Sequence, residues 1–120
     1  MHMEKISIKR IYEPYESADG FRILVDRLWP RGLKREDARV DEWMKEVAPS
    51  AELRTWFGHD PAKWKAFRQR YRKELEENDA VDRLVAFLKE KDHVTLLYAA
   101  KDQAHNQAIV LKDFIIESDS

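Results

Sequence analysis

Two arginines stand four residues apart in the string Asp26-Arg27-Leu28-Trp29-Pro30-Arg31-Gly32, directly behind the apolar run Phe21-Arg22-Ile23-Leu24-Val25. A guanidinium presents a planar fork of donors that fits carboxylate or phosphate oxygens in pairs. Arg27 and Arg31 converge on one anion if the turn folds back, with Pro30 as a fixed bend and Gly32 as a permissive backbone. Asp26 adds an acid at the strand end. Trp29 has two readings: it stacks on a planar ligand or on Arg31, or it plugs the core beneath the turn. The plainer reading of the arginines is that each pairs with an internal acid, Asp26 or Glu52, and fixes the loop.

A second group, Lys101, Asp102, His105 and Asn106, follows the apolar run Val94 to Ala100. It falls at an expected strand end and the first turn of a helix, where free N–H groups and the helix dipole attract anions. Lys101 reinforces that field, and Asp102 is placed to cap the helix. His105 is either a general acid–base near neutral pH or an ordinary surface side chain. His59 and Asp60 read as linker and cap, and Ser50 as a cap. There is no Gly-rich phosphate loop, no Gly-x-Ser-x-Gly elbow, no paired-carboxylate pattern and no His-x-x-x-His pair. No metal and no cofactor is therefore expected.

A third feature is the basic stretch Lys63, Lys65, Arg68, Arg70, Arg72 and Lys73. A helix carrying it can lie along a nucleic-acid backbone or simply present a solvated face. Glu74, Glu76 and Glu77 follow, so bases precede acids, the reverse of what the helix dipole favours.

The elements that must position these groups follow from periodicity. Residues 4–11 alternate, with Ile6 and Ile8 on one face, and predict a strand; residues 21–25 predict a second, more central one. Residues 34–39 suit a helical turn, and 41–47 suit either a short strand or a helix. Ser50 is placed to cap a helix over 51–57 that Gly58 ends. Asp60-Pro61 marks another helix start, and Trp64, Phe67, Tyr71 and Leu75 give that helix an apolar stripe. Asn78-Asp79 breaks it. Val81, Leu84, Val85 and Leu88 predict a helix to about Lys91. Residues 94–100 predict a strand buried on both faces, and 103–116 a closing helix. Strands alternating with helices predict a single α/β domain over 1–120, with a small, mostly parallel sheet flanked by helices in a Rossmann-like three-layer arrangement. Ligands of such sheets sit beyond the carboxyl ends of the strands. Asp26 and Arg27 leave one such end and Lys101 and Asp102 another.

Composition narrows the classes further. The chain has 22 Lys and Arg against 23 Asp and Glu, so bulk attraction to nucleic acid or an anionic membrane is not indicated. The absence of cysteine excludes disulfides and thiolate chemistry. No run approaches the ~20 apolar residues of a membrane span and no signal peptide opens the chain. A cytoplasmic protein without a membrane partner is expected. Met1-His2-Met3 reads as a cloning remnant.

The string Asp26 to Gly32 also carries a resemblance, together with Ala48-Pro49-Ser50, Leu53-Arg54, the stretch Phe67 to Leu75, and Leu96 to Asp102 with His105-Asn106. In these the chain resembles the YeaO-like branch of the bacterial family called domain of unknown function 488, over nearly its whole length. The resemblance implies a bacterial cytosolic α/β domain with Arg27, Arg31, Lys101 and Asn106 among the motif positions. Other branches of that family carry a cysteine-and-histidine motif after the last strand. Here the matching stretch is His105-Asn106-Gln107, so thiol or metal chemistry does not carry over.

Three functions are open at this point. The first is a carboxyl-edge cleft for a small anion or a phosphorylated, nucleotide-like ligand. Arg27, Arg31 and Lys101 would supply charge there, Asn106 a hydrogen bond and Trp29 a wall; in an enzyme, His105 or Asp26 would move protons. The second is a nucleic-acid-associated or protein-interaction module using the basic helix 61–77. The third is a structural or regulatory partner without chemistry.

Overall fold

The computed structural model describes residues 5–119; the expectation for residues 1–3 lies outside them. Strands β1 (Ile6–Arg10), β2 (Phe21–Leu24), β3 (Glu42–Trp43) and β4 (Val94–Tyr98) form one parallel sheet in the order β1-β4-β2-β3. Every residue of β4 is buried, as its unbroken apolar run requires of a strand with neighbours on both sides. The stretch left open between strand and helix is both in part. It makes the two-residue β3 and then a 3-10 turn over Lys45–Val47.

Among the described residues five helices complete the α/β fold: α1 (Arg35–Ala38), α2 (Ala51–Phe57), α3 (Trp64–Glu76), α4 (Ala80–Glu90) and α5 (Gln107–Asp119). The Ser50 hydroxyl caps α2 by accepting from Leu53 N–H at 3.1 Å, and Gly58 ends it in the left-handed conformation. Asp60 and Pro61 open a 3-10 turn, Pro61–Lys63, that runs on into α3. The closing helix starts four residues later than the sequence predicts. Asp102 spends one carboxylate oxygen on the N–H groups of Ala104 and His105, which holds 102–105 in a turn. Asn106 is the side chain that caps α5, its Oδ1 accepting from Ile109 N–H at 3.2 Å.

The two faces of the sheet are built differently. Ile6, Ile8, Ile23, Val25, Val94, Leu96 and Tyr98 alternate onto one face and join a single core with α2, α3, α4 and α5. On the opposite face Leu24 and Leu97 pack with Ile11, Ala38, Trp29, Leu33, Val40 and Trp43. That third layer is thin, made of α1 and connecting loops. The chain leaving β2 thus turns to the loop face, and the chain leaving neighbouring β4 turns to the helix face. Connections that part to opposite sides open a crevice between the two strand ends, a topological switch point.

Beside the small cluster lies a charged one that periodicity does not reveal. Arg22, in the middle of the apolar-looking β2, is 2% exposed and paired through Nη1 with Asp19. Its Nε and Nη2 donate to the carbonyls of Arg39 and Ala38, each at 3.0 Å. Lys9 Nζ reaches both Asp19 oxygens at 3.1 Å, and Thr95 Oγ1 donates to the Asp19 carbonyl at 2.7 Å.

Gly20 joins this cluster to β2 at φ +68°, and a Cβ there would clash with the His93 carbonyl oxygen. Both the dihedral and the backbone contact exclude a side chain. Gly20→Ala is expected to cost about 2 kcal/mol in urea-unfolding free energy; a loss under about 0.5 kcal/mol would show that the strand entry adapts.

Candidate functional site

The switch-point crevice is a real cavity. A cleft of about 850 Å³ opens at the carboxyl ends of β1, β2 and β4. It is roofed by α2 and the start of α5, and Arg10, Arg27, Arg31, Arg54 and Lys101 all line it. The acids on its wall are Asp26 and Asp102. The predicted residues Asp26, Arg27, Arg31, Lys101, His105 and Asn106 therefore share one space, although they come from strand ends more than seventy positions apart.

Asp26 forms the floor. Its Oδ2 accepts from the Ala99 N–H at 3.0 Å and its Oδ1 from the Gln107 amide, so the carboxylate ties β2 to β4 and to the first residue of α5. Its carbonyl accepts from Trp43 Nε1 at 2.8 Å. Burial pushes the Asp26 carboxyl up to about 6, against the opposing pull of those two hydrogen bonds and the Arg54 charge. Carboxyls raised by burial in a cleft recur at functional sites and also in structural networks.

The cations divide by how they are engaged. Arg27 donates from Nε to the Pro49 carbonyl at 3.0 Å and from Nη2 to that of Ala48 at 3.2 Å. Among the described residues it forms no ion pair with Asp26 or Glu52; it fixes the 48–50 loop and lines the cleft. Arg10 donates from Nε to the Ala100 carbonyl and lies over the Tyr12 ring. Among the described residues no ion pair uses Arg31, Arg54 or Lys101, and Arg31, Arg54 and Lys101 are exposed.

Asp102 and His105 form a dyad on one wall, with His105 Nδ1 at 2.9 Å from Asp102 Oδ2 and the imidazole edge-on to Trp64. The backbone N–H of Ala104, the His105 side chain and the His105 N–H hold the Asp102 carboxyl below the usual range. With Nδ1 engaged, Nε2 is the nitrogen left for an occupant.

Of the other predicted residues, Trp29 lies elsewhere, and Asn106 lines the cleft with its side chain already bonded. Trp29 does not line the cleft: its Nε1 donates to the Leu33 carbonyl at 2.7 Å, and its ring meets Trp43 edge-on and carries Arg35 on its face. Of its two readings the structure shows the plug, because the turn folds onto the loop face of the sheet. Asn106 is 2% exposed and committed to the chain, with Nδ2 on the Asp102 carbonyl and Oδ1 capping α5. Arg10, Arg54 and Gln107 are cleft residues that the sequence reading passed over. Arg10 had a usable signal, since it too ends a strand of a parallel sheet; Arg54 and Gln107 sit on helices whose placement only the packing decides.

On the basic helix Lys65, Arg68, Arg70 and Lys73 are exposed, while Lys63 and Arg72 are half-buried. Lys63 and Arg70 sit over the Trp56 ring, and Arg72 pairs with Glu117 and lies over Phe114. Among the described residues no three His, Cys, Asp or Glu side chains come together as a metal's ligands, and no helix is long and apolar enough to cross a membrane.

A small parallel α/β domain with a cationic cleft at its switch point is the class that fold and site define. More particularly, the chain belongs to the DUF488 family: the family model described as "Inactive DUF488-N3 subclade" matches residues 5–119. It is 46% identical over 110 residues to YeaO of Escherichia coli (strain K12), covering 92% of this chain and 96% of that one. It is 39% identical over 111 residues to Rv3073c of Mycobacterium tuberculosis (strain H37Rv), covering 92% and 93%. Both relatives are described as uncharacterised. The YeaO-like assignment made from the sequence motifs therefore holds. No solved structure matches the chain.

Proposed function

We propose that the cleft is a binding site for a small anion or a phosphorylated ligand in a cytoplasmic protein. The observation that carries the reading is the side chains of Arg31, Arg54 and Lys101, brought to one cavity and left without ion pairs among the described residues. Five cations face two acids across the cleft, and that excess of positive charge favours an anionic occupant. The amino end of α5 opens on the same space and adds its dipole. The word "inactive" in the family description favours binding over turnover here. If the site does react, the Asp102–His105 dyad and Asp26 are the groups able to move a proton.

Thermal unfolding in the presence of millimolar phosphate, sulfate and phosphorylated metabolites tests this directly. A ligand at 100 times its Kd stabilises the native state by about 2.7 kcal/mol, which is several degrees for a domain of this size. Arg31→Ala with Lys101→Ala is expected to abolish the shift while leaving the unliganded Tm within about a degree, since both side chains are exposed. No shift with any anion would sink the proposal.

A further inference from the structure

The cleft is larger and more apolar than a bare anion needs, and it keeps a carboxylate on its floor. Leu28, Ala48, Pro49, Phe57, Phe67 and Ala99 share the lining with the cations, and Leu28 is 60% exposed toward solvent. A volume of about 850 Å³ lies high in the range of roughly 300–1,000 Å³ typical of sites for whole organic ligands. Asp26 is the telling residue. A carboxylate has about four lone-pair positions, and the Ala99 N–H and Gln107 amide take one on each oxygen. An inorganic anion seated among Arg31, Arg54 and Lys101 would be repelled by Asp26. A ligand that sets a hydroxyl there instead donates to it.

Resting on the anion-site reading above, we infer that the cleft takes a nucleoside monophosphate: phosphate on Arg31, Arg54 and Lys101, ribose hydroxyl on the Asp26 carboxylate, and the planar base on the apolar wall at Leu28 and Pro49. Asp26 then acts as a selector, admitting a hydroxylated phosphate ester and rejecting a bare phosphate.

Calorimetric titration at pH 8 with inorganic phosphate, ribose 5-phosphate and the four ribonucleoside monophosphates tests the inference. At least one nucleotide is expected to bind about tenfold or more tighter than ribose 5-phosphate, and that in turn tighter than phosphate. Asp26→Asn should move the ligands in opposite directions: phosphate binds more tightly as the repulsion goes, and the nucleotide loses about tenfold. A merely structural role for Asp26 would move both the same way. Phosphate or ribose 5-phosphate binding as tightly as every nucleotide would overturn the inference and leave the anion site standing. So would an Asp26→Asn variant with unchanged nucleotide affinity. Binding of none of these ligands would overturn both readings. If the variant fails to fold, the wild-type order of affinities decides alone.

Discussion

Asp26→Asn is expected to stabilise the protein above neutral pH, and to do so by an amount that depends on pH. The folded state raises this carboxyl from its ordinary 3.8 to about 6, so between those values the native protein holds a proton that the unfolded chain has released. A raised acid favours folding fully below pH 3.8, and that advantage is lost as pH rises through 6. The shift corresponds to about 3 kcal/mol. The amide carries no charge to bury, accepts from the Ala99 N–H as the acid does, and can receive the Gln107 side chain once that amide turns over. Measured by urea unfolding at pH 4 and pH 8, the stability of the variant relative to wild type should rise by about 2–3 kcal/mol across the interval. Every other carboxyl is common to both proteins, so the difference isolates this one. A difference that stays constant with pH would show that Asp26 is not strained when ionised.

The opposite sign is expected at Asp19. Removing it by Asp19→Ala leaves the Arg22 guanidinium, 2% exposed, without its counter-charge and takes two bonds from Lys9. Breaking a buried pair in this way costs about 3–5 kcal/mol, a large share of the total stability of a domain this size. Burial works against the Asp19 charge, but the Glu16 N–H, Lys9 and Arg22 together hold its carboxyl below the ordinary value. Its contribution is therefore present above pH 4 and lost as pH falls through the depressed native value. The double change Asp19→Ala with Arg22→Met should not restore stability, because the carbonyls of Ala38 and Arg39 would lose their donors. Thermal and urea unfolding measure both variants. A loss under about 1 kcal/mol for Asp19→Ala would mean that water replaces the carboxylate.

These two acids mark where the sequence is readable and where it is not. The Trp64, Phe67, Tyr71 and Leu75 stripe and the unbroken run Val94 to Tyr98 declare a helix and a central strand because burial imposes their periodicity. Once both strands are parallel, the convergence of Asp26 with Lys101 follows from the carboxyl-edge rule. Arg22 is hidden for the same reason: a strand of apolar residues predicts a buried position, and nothing local says that Asp19, three residues earlier, turns back to neutralise it. Trp29 has the local marks of a ligand wall, yet its side of the sheet is decided by the hydrogen bond to Leu33 and by Trp43, a residue fourteen positions on. The late start of α5 comes down to competition between two good caps. Asp102 closes a tight turn first, and Asn106 takes the helix.

The bonds that anchor the arginine loop have a kinetic side. Trp29 Nε1 grips the Leu33 carbonyl and Tyr12 Oη donates to that of Arg31 at 2.9 Å, so the backbone beneath Arg31 is pinned from both flanks before any occupant arrives. If the cleft takes an anion as proposed, association would immobilise little more than a side chain, about 0.5–1.5 kcal/mol of ordering in place of a whole loop. Capture would then proceed in a single step at a rate set by encounter and long-range charge, slowing as salt is added.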